Sequence, residues 1–542
     1  MFNWSSLFED WFCRTTSDNP SLGRVLHANH LLNPTRPALV EIDSDAFTAT
    51  GKIVVLNRCT YLELEYIVEK CCDLLREDYK LSSTDVVACV GSASISQSAF
   101  LLSSLRTGII TVPVNPFLPI EELAEILTNC QPDLIFSESQ FFEKVREAIS
   151  LSPKRVAPNC EEFPKVVVPD NVERHSFKYT QSFEDEVSND MPLSILYSSG
   201  TTGGEKKGVL VDQRLIKEWQ VHVAVGLGSH IGIWPHYGMG GYAGFFNAIS
   251  SRQTFYLLRI QNKMPPIVTF CHLIHMSLHK FNIEWVWCAP LHLELPMHLL
   301  RDKFTPPPGL KFACLGGTWA SGSEIREIND RYAETDIMVV YGSTEIGAGA
   351  WNHIGSFPGK AHTVGKPLKG VTISASGEIL KAASEPSVFT GYYNNSDLTS
   401  SCFTEDRLYC KTGDLGEIDA DGFLVIKGRV DDMIILSVGQ NLLPSVLENK
   451  LLEHSSIQHA TVLGVKVADK HKLVAVIVKS VNEADDQTFS NELKAYLKAK
   501  NVSSAMCPEE FLYLEQSGIP LTASGKVKRR ILEGVVKEKL LK

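Results

Sequence analysis

What this chain of 542 residues lacks narrows it first. Its 13 cysteines contain no CxxC pair, and Cys71 and Cys72 are merely adjacent. Neither a disulfide framework nor a cysteine-built zinc site is indicated, and a reducing, cytoplasmic setting is expected. There is no excess of positive charge: 52 Lys and Arg stand against 63 Asp and Glu, a formal net charge of −11. A nucleic-acid backbone is thereby excluded as the main partner, although a local basic loop in an acidic protein can still hold a small anion. No uncharged apolar run reaches membrane-spanning length, since the nearest, AFLLSSLRTGIITVPV, is broken by Arg106, Gly108 and Pro113. The opening MFNWSSLFEDWF carries Glu9 and Asp10 and no basic region before a long apolar stretch, so no signal peptide is expected. Internal repeats and low-complexity tracts are also missing.

What remains is ordinary globular material, 44% hydrophobic and 21% charged, in a chain long enough for more than one domain. Residues 84–140 alternate β-rich and helical texture: DVVACVG, a helix through Leu101, IITVPV, EELAEILTNC and DLIFS. That alternation predicts βαβ units and a parallel sheet. The polar, proline-punctuated stretch 138–190 reads as a variable connection. The breaker cluster Pro306-Pro307-Pro308-Gly309 leads into a short strand, KFACLGG. From about Gly422 the texture changes to short strands (FLVIKG, MIILSV, ATVLGV, LVAVIVKS) with helices between them, about the length of a small α+β domain.

The densest chemical signal is YSSGTTGGEKKGV at 197–209, where the apolar strand LSILY runs into hydroxyls, glycines and two lysines. Glycine lets the backbone approach an anion, Ser and Thr hydroxyls donate to phosphate oxygens, and lysine supplies charge. A Walker loop is ruled out: Gly203 and Gly208 have its glycine spacing, but Val209 stands where lysine is required.

The loop resembles the phosphate-binding signature of the AMP-forming adenylating superfamily, which includes acyl-CoA synthetases, peptide-synthetase adenylation domains and firefly-type luciferases. Further segments resemble that family in the same order: VVYGSTEIG at 339–347, YCKTGDLGEIDADGFLVIKGRVDDMI at 409–434, and PLTASGKVKRR at 520–530. Weaker echoes are TYLEL at Thr60, GIITVPVNP at Gly108 and GYYN at Gly391. The resemblance spans nearly the whole chain. It implies an α/β fold, with a large N-terminal domain of αβ-layered sheets over 1–430 holding the ATP and acyl pockets. A small, mobile α+β C-terminal domain over 431–542, joined by a hinge, would carry the catalytic lysine.

The implied reaction is carboxylic acid activation by ATP to an acyl-AMP with release of pyrophosphate, then transfer of the acyl group to a thiol. Ser198, Ser199, Gly200, Thr201, Thr202 and Gly203 would cradle phosphates. Glu345 is a hard oxygen ligand suited to Mg²⁺, with Thr201 beside it, and Thr344 can donate to a phosphate oxygen; a Thr-Glu pair alone is also a helix-cap pattern. Tyr341 and Gly342 belong to the same segment. Asp414 is implied to accept from the ribose hydroxyls, with Arg429 as the neighbouring donor fork. Gly316 and Gly317 are similar to the adenine-contacting turn, and equally read as a strand-end turn. Lys526, preceded by Thr522-Ala523-Ser524-Gly525, would neutralise charge developing on the phosphoryl oxygens. The small domain would pivot at Asp431 between the two half-reactions.

The sequence also departs from the family pattern. After Thr201-Thr202-Gly203 it reads Gly-Glu-Lys-Lys-Gly, where the family has one variable residue and then Pro-Lys-Gly. One residue is added and the proline is gone; Lys207, beside Gly208, is the expected phosphate contact. SVGQN at 437–441 replaces the commoner Gly-Gly-Glu-Asn, and GEILKAASEP lacks the glycine found after Gly-Glu-Leu. WPHYGMGGYAGFF at 234–246 resembles the segment that walls the acyl pocket, which points to His236, Tyr237 and Gly240. No Phe-Asp pair of the kind that grips an α-amino group is present, which favours a simple carboxylic acid over an amino acid. EIDADGFLV mimics part of an EF-hand, but its twelfth position is Gly428, so an Asp-Gly hairpin explains it better. His275 and His279 are spaced i, i+4 without the Glu and further ligands of a zinc helix, and no metal beyond Mg²⁺ is expected. The expected small-molecule partners are the acid, ATP and CoA, or a separate phosphopantetheinyl carrier protein in place of CoA. A non-catalytic nucleotide-binding homologue is the reading from another class; it would lack Glu345, Asp414 or Lys526, and all three are present.

Overall fold

In the computed structural model the described residues are 22, 29–152, 160–169, 187–188, 190–198, 206–223, 228–318, 320–435, 441–467, 470–480, 485–504, 506–520 and 527–541. Two large sheets dominate. A six-stranded sheet runs Cys160–Glu162, Leu134–Ser137, Val86–Val90, Ile110–Val114, Pro192–Ser198 and Lys207–Asp212, parallel except for the last pair. A nine-stranded sheet has a parallel centre from Asp336–Ser343 through Phe312–Leu315, Trp285–Cys288, His230–Gly232 and Phe255–Arg259 to Pro37–Asp43. Antiparallel strands close both of its edges. The helix Ile95–Thr107 lies between the two sheets, with eleven of its 13 residues buried. It shares one core with Met239–Ser250, Tyr61–Asp73 and residues of both sheets. A helix buried on all sides needs a sequence without a polar stripe, and AFLLSSLRT meets this because Ser103 and Ser104 bond back to Phe100 and Leu101 carbonyls. The outer faces are covered separately, by Ile267–Lys280, Leu291–Leu300 and Gly322–Arg331 on one sheet and by Ile120–Cys130 and Phe142–Leu151 on the other. The result is a layered αβαβα arrangement.

The βαβ alternation anticipated over 84–140 is present strand by strand. Within 138–190, read as a variable connection, the described residues include a helix and a strand. Phe142–Leu151 is a helix whose Val145 and Ala148 pack inward, and Cys160–Glu162 adds an edge strand. A four-stranded antiparallel sheet follows: Val371–Ile373, Glu378–Ala382, Tyr409–Ile418 and Leu424–Arg429. Its last hairpin is the Asp-Gly turn, with Gly422 at φ +83°. Asp419 and Asp421 there both hold the Lys360 ammonium. The last sheet is three-stranded, Ile457–Val467, Lys470–Lys479 and Glu510–Tyr513, packed against Pro444–Leu452 and Asp486–Ala499 on one side and Arg529–Leu541 on the other. Within MIILSV the described residues form the two-residue strand Ile434–Ile435. No helix of the described residues is long and apolar enough to cross a membrane.

Candidate active site

The site is assembled where the C-terminal end of Asp336–Ser343 meets the four-stranded sheet and the Lys207–Asp212 strand. Asp414 and Arg429 lie opposite each other in register on neighbouring strands. Arg429 donates to Asp414 Oδ1 at 3.0 Å, and Tyr341, reaching across from the nine-stranded sheet, donates its hydroxyl to Oδ2 at 2.8 Å. Burial and the Asp414 charge hold the Tyr341 hydroxyl well above its ordinary pKa, so it stays a donor. Gly413 turns the chain at φ +72°, and a Cβ there would stand 2.8 Å from the Arg429 guanidinium. Glycine is therefore required for Arg429 to reach its partner.

Glu345 follows in the turn after Ser343, beside the half-buried Thr344. Its Oε1 accepts from the Tyr392 hydroxyl at 2.9 Å, and its carbonyl accepts from Phe389 N at 2.8 Å. Burial and the Glu345 charge push the Tyr392 hydroxyl upward in pKa, which again keeps it protonated. Tyr392 is carried by a segment that pairs along the outer edge of Lys207–Asp212: Tyr393 N donates to the Gly208 carbonyl at 2.7 Å and Leu210 N to that of Gly391 at 3.2 Å. Through this strand the Lys207 ammonium is brought over the Tyr392 ring, 5.8 Å from its centroid. Gly208 is pinned by sterics, because a Cβ would lie 2.7 Å from Ile195 Cγ2 and 3.0 Å from Tyr197 Cζ. Tyr341 packs against the apolar clusters of both halves, so the Asp414 and Glu345 groups share one side-chain neighbourhood.

A second group forms the adjoining wall. Gly317, at φ +78°, closes the turn after Phe312–Leu315, and Trp234 packs on it with Cζ2 3.3 Å from where a Cβ would stand. Gly240 takes the other part of the same indole; a Cβ there would sit 2.2 Å from Cε3. Trp287 meets Trp234 edge-on at 5.7 Å, and Gly316 lies beside the Trp287 Nε1. Tyr237 is half-buried. His236 is fully buried, 2.9 Å from Ser98 Oγ and packed on Phe245 and Phe255, and burial lowers its pKa to about 3. It is a neutral ring enclosed among core side chains.

Of the residues singled out by sequence, Tyr341, Gly342, Thr344, Glu345, Asp414 and Arg429 fall in one neighbourhood, and Lys207 joins them through Tyr392. Gly342 is fixed by the bulge at the end of its strand, where a Cβ would lie 2.2 Å from the Gly347 carbonyl. Ser198 ends its strand opposite Lys207. Ser199, Gly200, Thr201, Thr202, Gly203 and Lys526 lie outside the described residues. Asp431 is exposed in the turn after Arg429, 3.9 Å from it. No group of His, Cys, Asp and Glu among the described residues is arranged to hold a metal ion by itself.

Sequence reasoning missed four participants. Tyr392 stood inside the GYYN echo without a role, although a tyrosine there was the available signal. Trp234 opened the WPHYGMGGYAGFF segment without a role, and Trp287 lay in no motif. Lys381 is the fourth: 2% exposed, it donates to the Ala348 carbonyl at 2.7 Å just behind the Glu345 turn. Burial, partly opposed by Glu385 and Glu218, pushes its pKa from the ordinary 10.5 down to about 8. The folded protein therefore binds fewer protons than the unfolded chain between about pH 8 and 10.5, and stability contributed here rises across that window. Below it the penalty is fully present, on the order of 3 kcal/mol. Lys381→Met should raise the melting temperature relative to wild type more at pH 7 than at pH 9.5, read by a thermal-shift series. An equal difference at both pH values would contradict the buried-charge account.

This fold and site, taken with the motifs that supply them, place the protein among the AMP-forming adenylating enzymes. Comparison with known proteins agrees. Residues 33–393 match the AMP-binding enzyme family and residues 446–526 the AMP-binding enzyme C-terminal domain, and the chain belongs to that family. Among similar proteins is an indoleacetate–CoA ligase of Aromatoleum aromaticum, 26% identical over 524 residues that make up 92% of this chain and 98% of that one. Another is the fatty acid–[acyl-carrier-protein] ligase ScoC of Streptomyces coeruleorubidus, 26% identical over 83% of this chain and 87% of that protein. The fold matches that of the Bacillus subtilis o-succinylbenzoate CoA synthetase MenE in complex with its acyl-adenylate, with a TM-score of 0.71 at 20% identity over 94% of this chain and 97% of that one. The protein is an AMP-forming acid–thiol ligase.

Proposed function

We propose that the protein converts an apolar carboxylic acid to its CoA thioester in two half-reactions. In the first, a carboxylate oxygen attacks the α-phosphorus of ATP and pyrophosphate leaves. In the second, the CoA thiol loses its proton, sulfur attacks the acyl carbon, and AMP leaves. The observation that carries this reading is the convergence of Tyr341, Asp414 and Arg429 with Glu345, Tyr392 and Lys207 around one strand end. Asp414 and Arg429 suit a ribose, and Lys207 with the 198–203 loop suits phosphates. Gly316 and Gly317 suit the close approach of a flat base.

A carboxylate and hydroxyls are a hard-oxygen donor set, which fits Mg²⁺; Glu345 with Thr201 would hold it, and the ion would supply charge neutralisation on the phosphates. Trp234, Tyr237, Gly240 and Trp287 would wall the acyl pocket, with His236 supporting them from the core. The Trp234 N–H has no partner among the described residues and can serve a polar atom of the acid. Residues 431–542 would turn about Asp431 as a unit, bringing Lys526 in for adenylation and removing it for thiol entry. The buried free cysteines accord with a reducing, cytoplasmic setting.

The relative ScoC favours a second acceptor, the phosphopantetheine arm of a separate carrier protein. Incubating the protein with MgATP, CoA and a panel of aromatic, fatty and amino acids, and reading thioesters by mass spectrometry, tests the proposal. Thioester from aromatic or short apolar acids is the expected product. Acyl-AMP accumulating without thioester moves the acceptor to a carrier protein, and absence of both contradicts the ligase reading for these acids.

A further inference from the structure

The base of the phosphate loop carries two consecutive lysines where the family has Pro-Lys, and the structure gives them separate tasks. Side chains of adjacent residues entering a strand diverge. Lys207 goes to the ring of Tyr392, whose hydroxyl is bonded to Glu345. Lys206 goes to the helix Ile120–Cys130: its ammonium pairs with Glu122 at 2.6 Å, and its backbone N–H donates to Glu125 Oε1. The Lys206 side chain is 15% exposed, so the pair is partly shielded from solvent screening. One turn on, Asn129 accepts from the Tyr197 hydroxyl at 2.6 Å and its carbonyl from Asn394 Nδ2 at 2.9 Å. The same helix therefore grips both strands of the hairpin and the segment that bears Tyr392.

A proline at position 206 would offer neither an N–H nor an ammonium. Its contribution to such a loop is a fixed φ and a reduced conformational entropy. Here the loop is one residue longer and has lost that restraint, while the lysine in its place supplies two bonds to one helix. We infer that Glu122 and Glu125 are positioning residues that clamp the C-terminal base of the phosphate loop through Lys206, replacing the missing proline and committing Lys207 to the ATP phosphates. The inference rests on the loop binding ATP, as in the proposed function. Neither glutamate touches substrate; both act through Lys206 on the placement of Lys207.

The test is steady-state kinetics of the full-length enzyme on acid-dependent pyrophosphate release. Glu122→Gln/Glu125→Gln and Lys206→Met should each raise the KM for ATP about tenfold, and leave kcat at saturating ATP and the KM for the acid within about twofold. Combining them should add little, because both remove the Lys206–Glu122 ion pair. Lys206→Arg, which keeps the ion pair and the N–H, should restore the wild-type KM for ATP, whereas Lys207→Met should lower kcat itself. An unchanged KM for ATP in the glutamate double variant overturns the inference. So does a Lys206→Met variant that loses kcat as severely as Lys207→Met. Glu122→Gln alone, at a side chain 38% exposed, guards against misfolding of the double variant and should show part of the same KM shift. If the wild-type enzyme releases no pyrophosphate with any acid, the ligase reading fails separately. The clamp is then judged by calorimetric ATP affinity, which the double variant should weaken about tenfold and which, if unchanged, refutes it.

Discussion

Lys526→Ala is expected to reduce acyl-AMP formation by about 10²–10³-fold while leaving thioester formation from supplied acyl-AMP within a few-fold of wild type. In the adenylation transition state negative charge spreads over the phosphoryl oxygens and the departing pyrophosphate, and a lysine delivered there at the moment of reaction stabilises that state without stabilising bound substrate equally. When sulfur attacks the acyl carbon, charge develops on the acyl oxygen and the departing AMP and no pyrophosphate leaves, so the second half-reaction does not call on a lysine placed for the pyrophosphate. The flanking Gly525 and Ser524 and the basic tail after it distinguish Lys526 from its neighbours only by motif. The half-reactions therefore have to be assayed apart: pyrophosphate release for the first, and thioester appearance from synthetic acyl-AMP for the second. Equal loss in both would remove the assignment of Lys526 to adenylation and, with it, the two-position use of residues 431–542.

Asp414→Asn is expected to cost about 10²-fold in kcat/KM for ATP and to erase discrimination between ATP and 2′,3′-dideoxy-ATP. The wild-type carboxylate is held by Tyr341 at 2.8 Å and Arg429 at 3.0 Å, and its side chain is only 14% exposed. Two charge-assisted bonds to ribose hydroxyls at such a site are worth roughly 1.5–3 kcal/mol each. An amide is uncharged and offers one acceptor oxygen where the carboxylate offered two, so the Arg429 ion pair is lost and one acceptor for the ribose hydroxyls goes with it. Arg429 is left without its carboxylate, so a lower melting temperature should accompany the kinetic loss. The decisive readout is the ratio of kcat/KM for ATP to that for the dideoxy nucleotide. A ratio as high in the variant as in wild type would take the ribose contact away from Asp414.

Much of this architecture is legible along the chain. The strands Val86–Val90, Ile110–Val114 and Leu134–Ser137 are short, apolar and separated by helical spacing, so local pattern suffices to place them. The helix Phe142–Leu151 escaped because Glu, Lys, Arg and Ser hide its two inward residues among polar ones, and the prolines around it weigh toward a loop. The site divides in the same way. Asp414 and Arg429 are 15 residues apart and joined by one hairpin, so a motif records both. Tyr341 reaches Asp414 from 73 residues away, and Tyr392 reaches Glu345 from 47. Such partners are set by how sheets pack, which no local pattern encodes. The pairing of Lys206 with Glu122 and Glu125 is likewise written in the chain only as two lysines and a glutamate-rich helix start, each of which reads alone as a solvated surface. His236 shows the converse: an aromatic-rich segment places it near a pocket, and the fold encloses it in the core, bonded to Ser98.

The central claim is that this site joins a carboxylate to the α-phosphorus of ATP. The most direct test is carboxylate-dependent exchange of labelled pyrophosphate into ATP, with Mg²⁺ present and no CoA, over aromatic, fatty and amino acids. The account predicts exchange that depends on an apolar acid, requires no thiol, and vanishes in Lys526→Ala. Tight ATP binding without exchange for any acid in the panel would contradict it and leave a nucleotide-binding protein in its place.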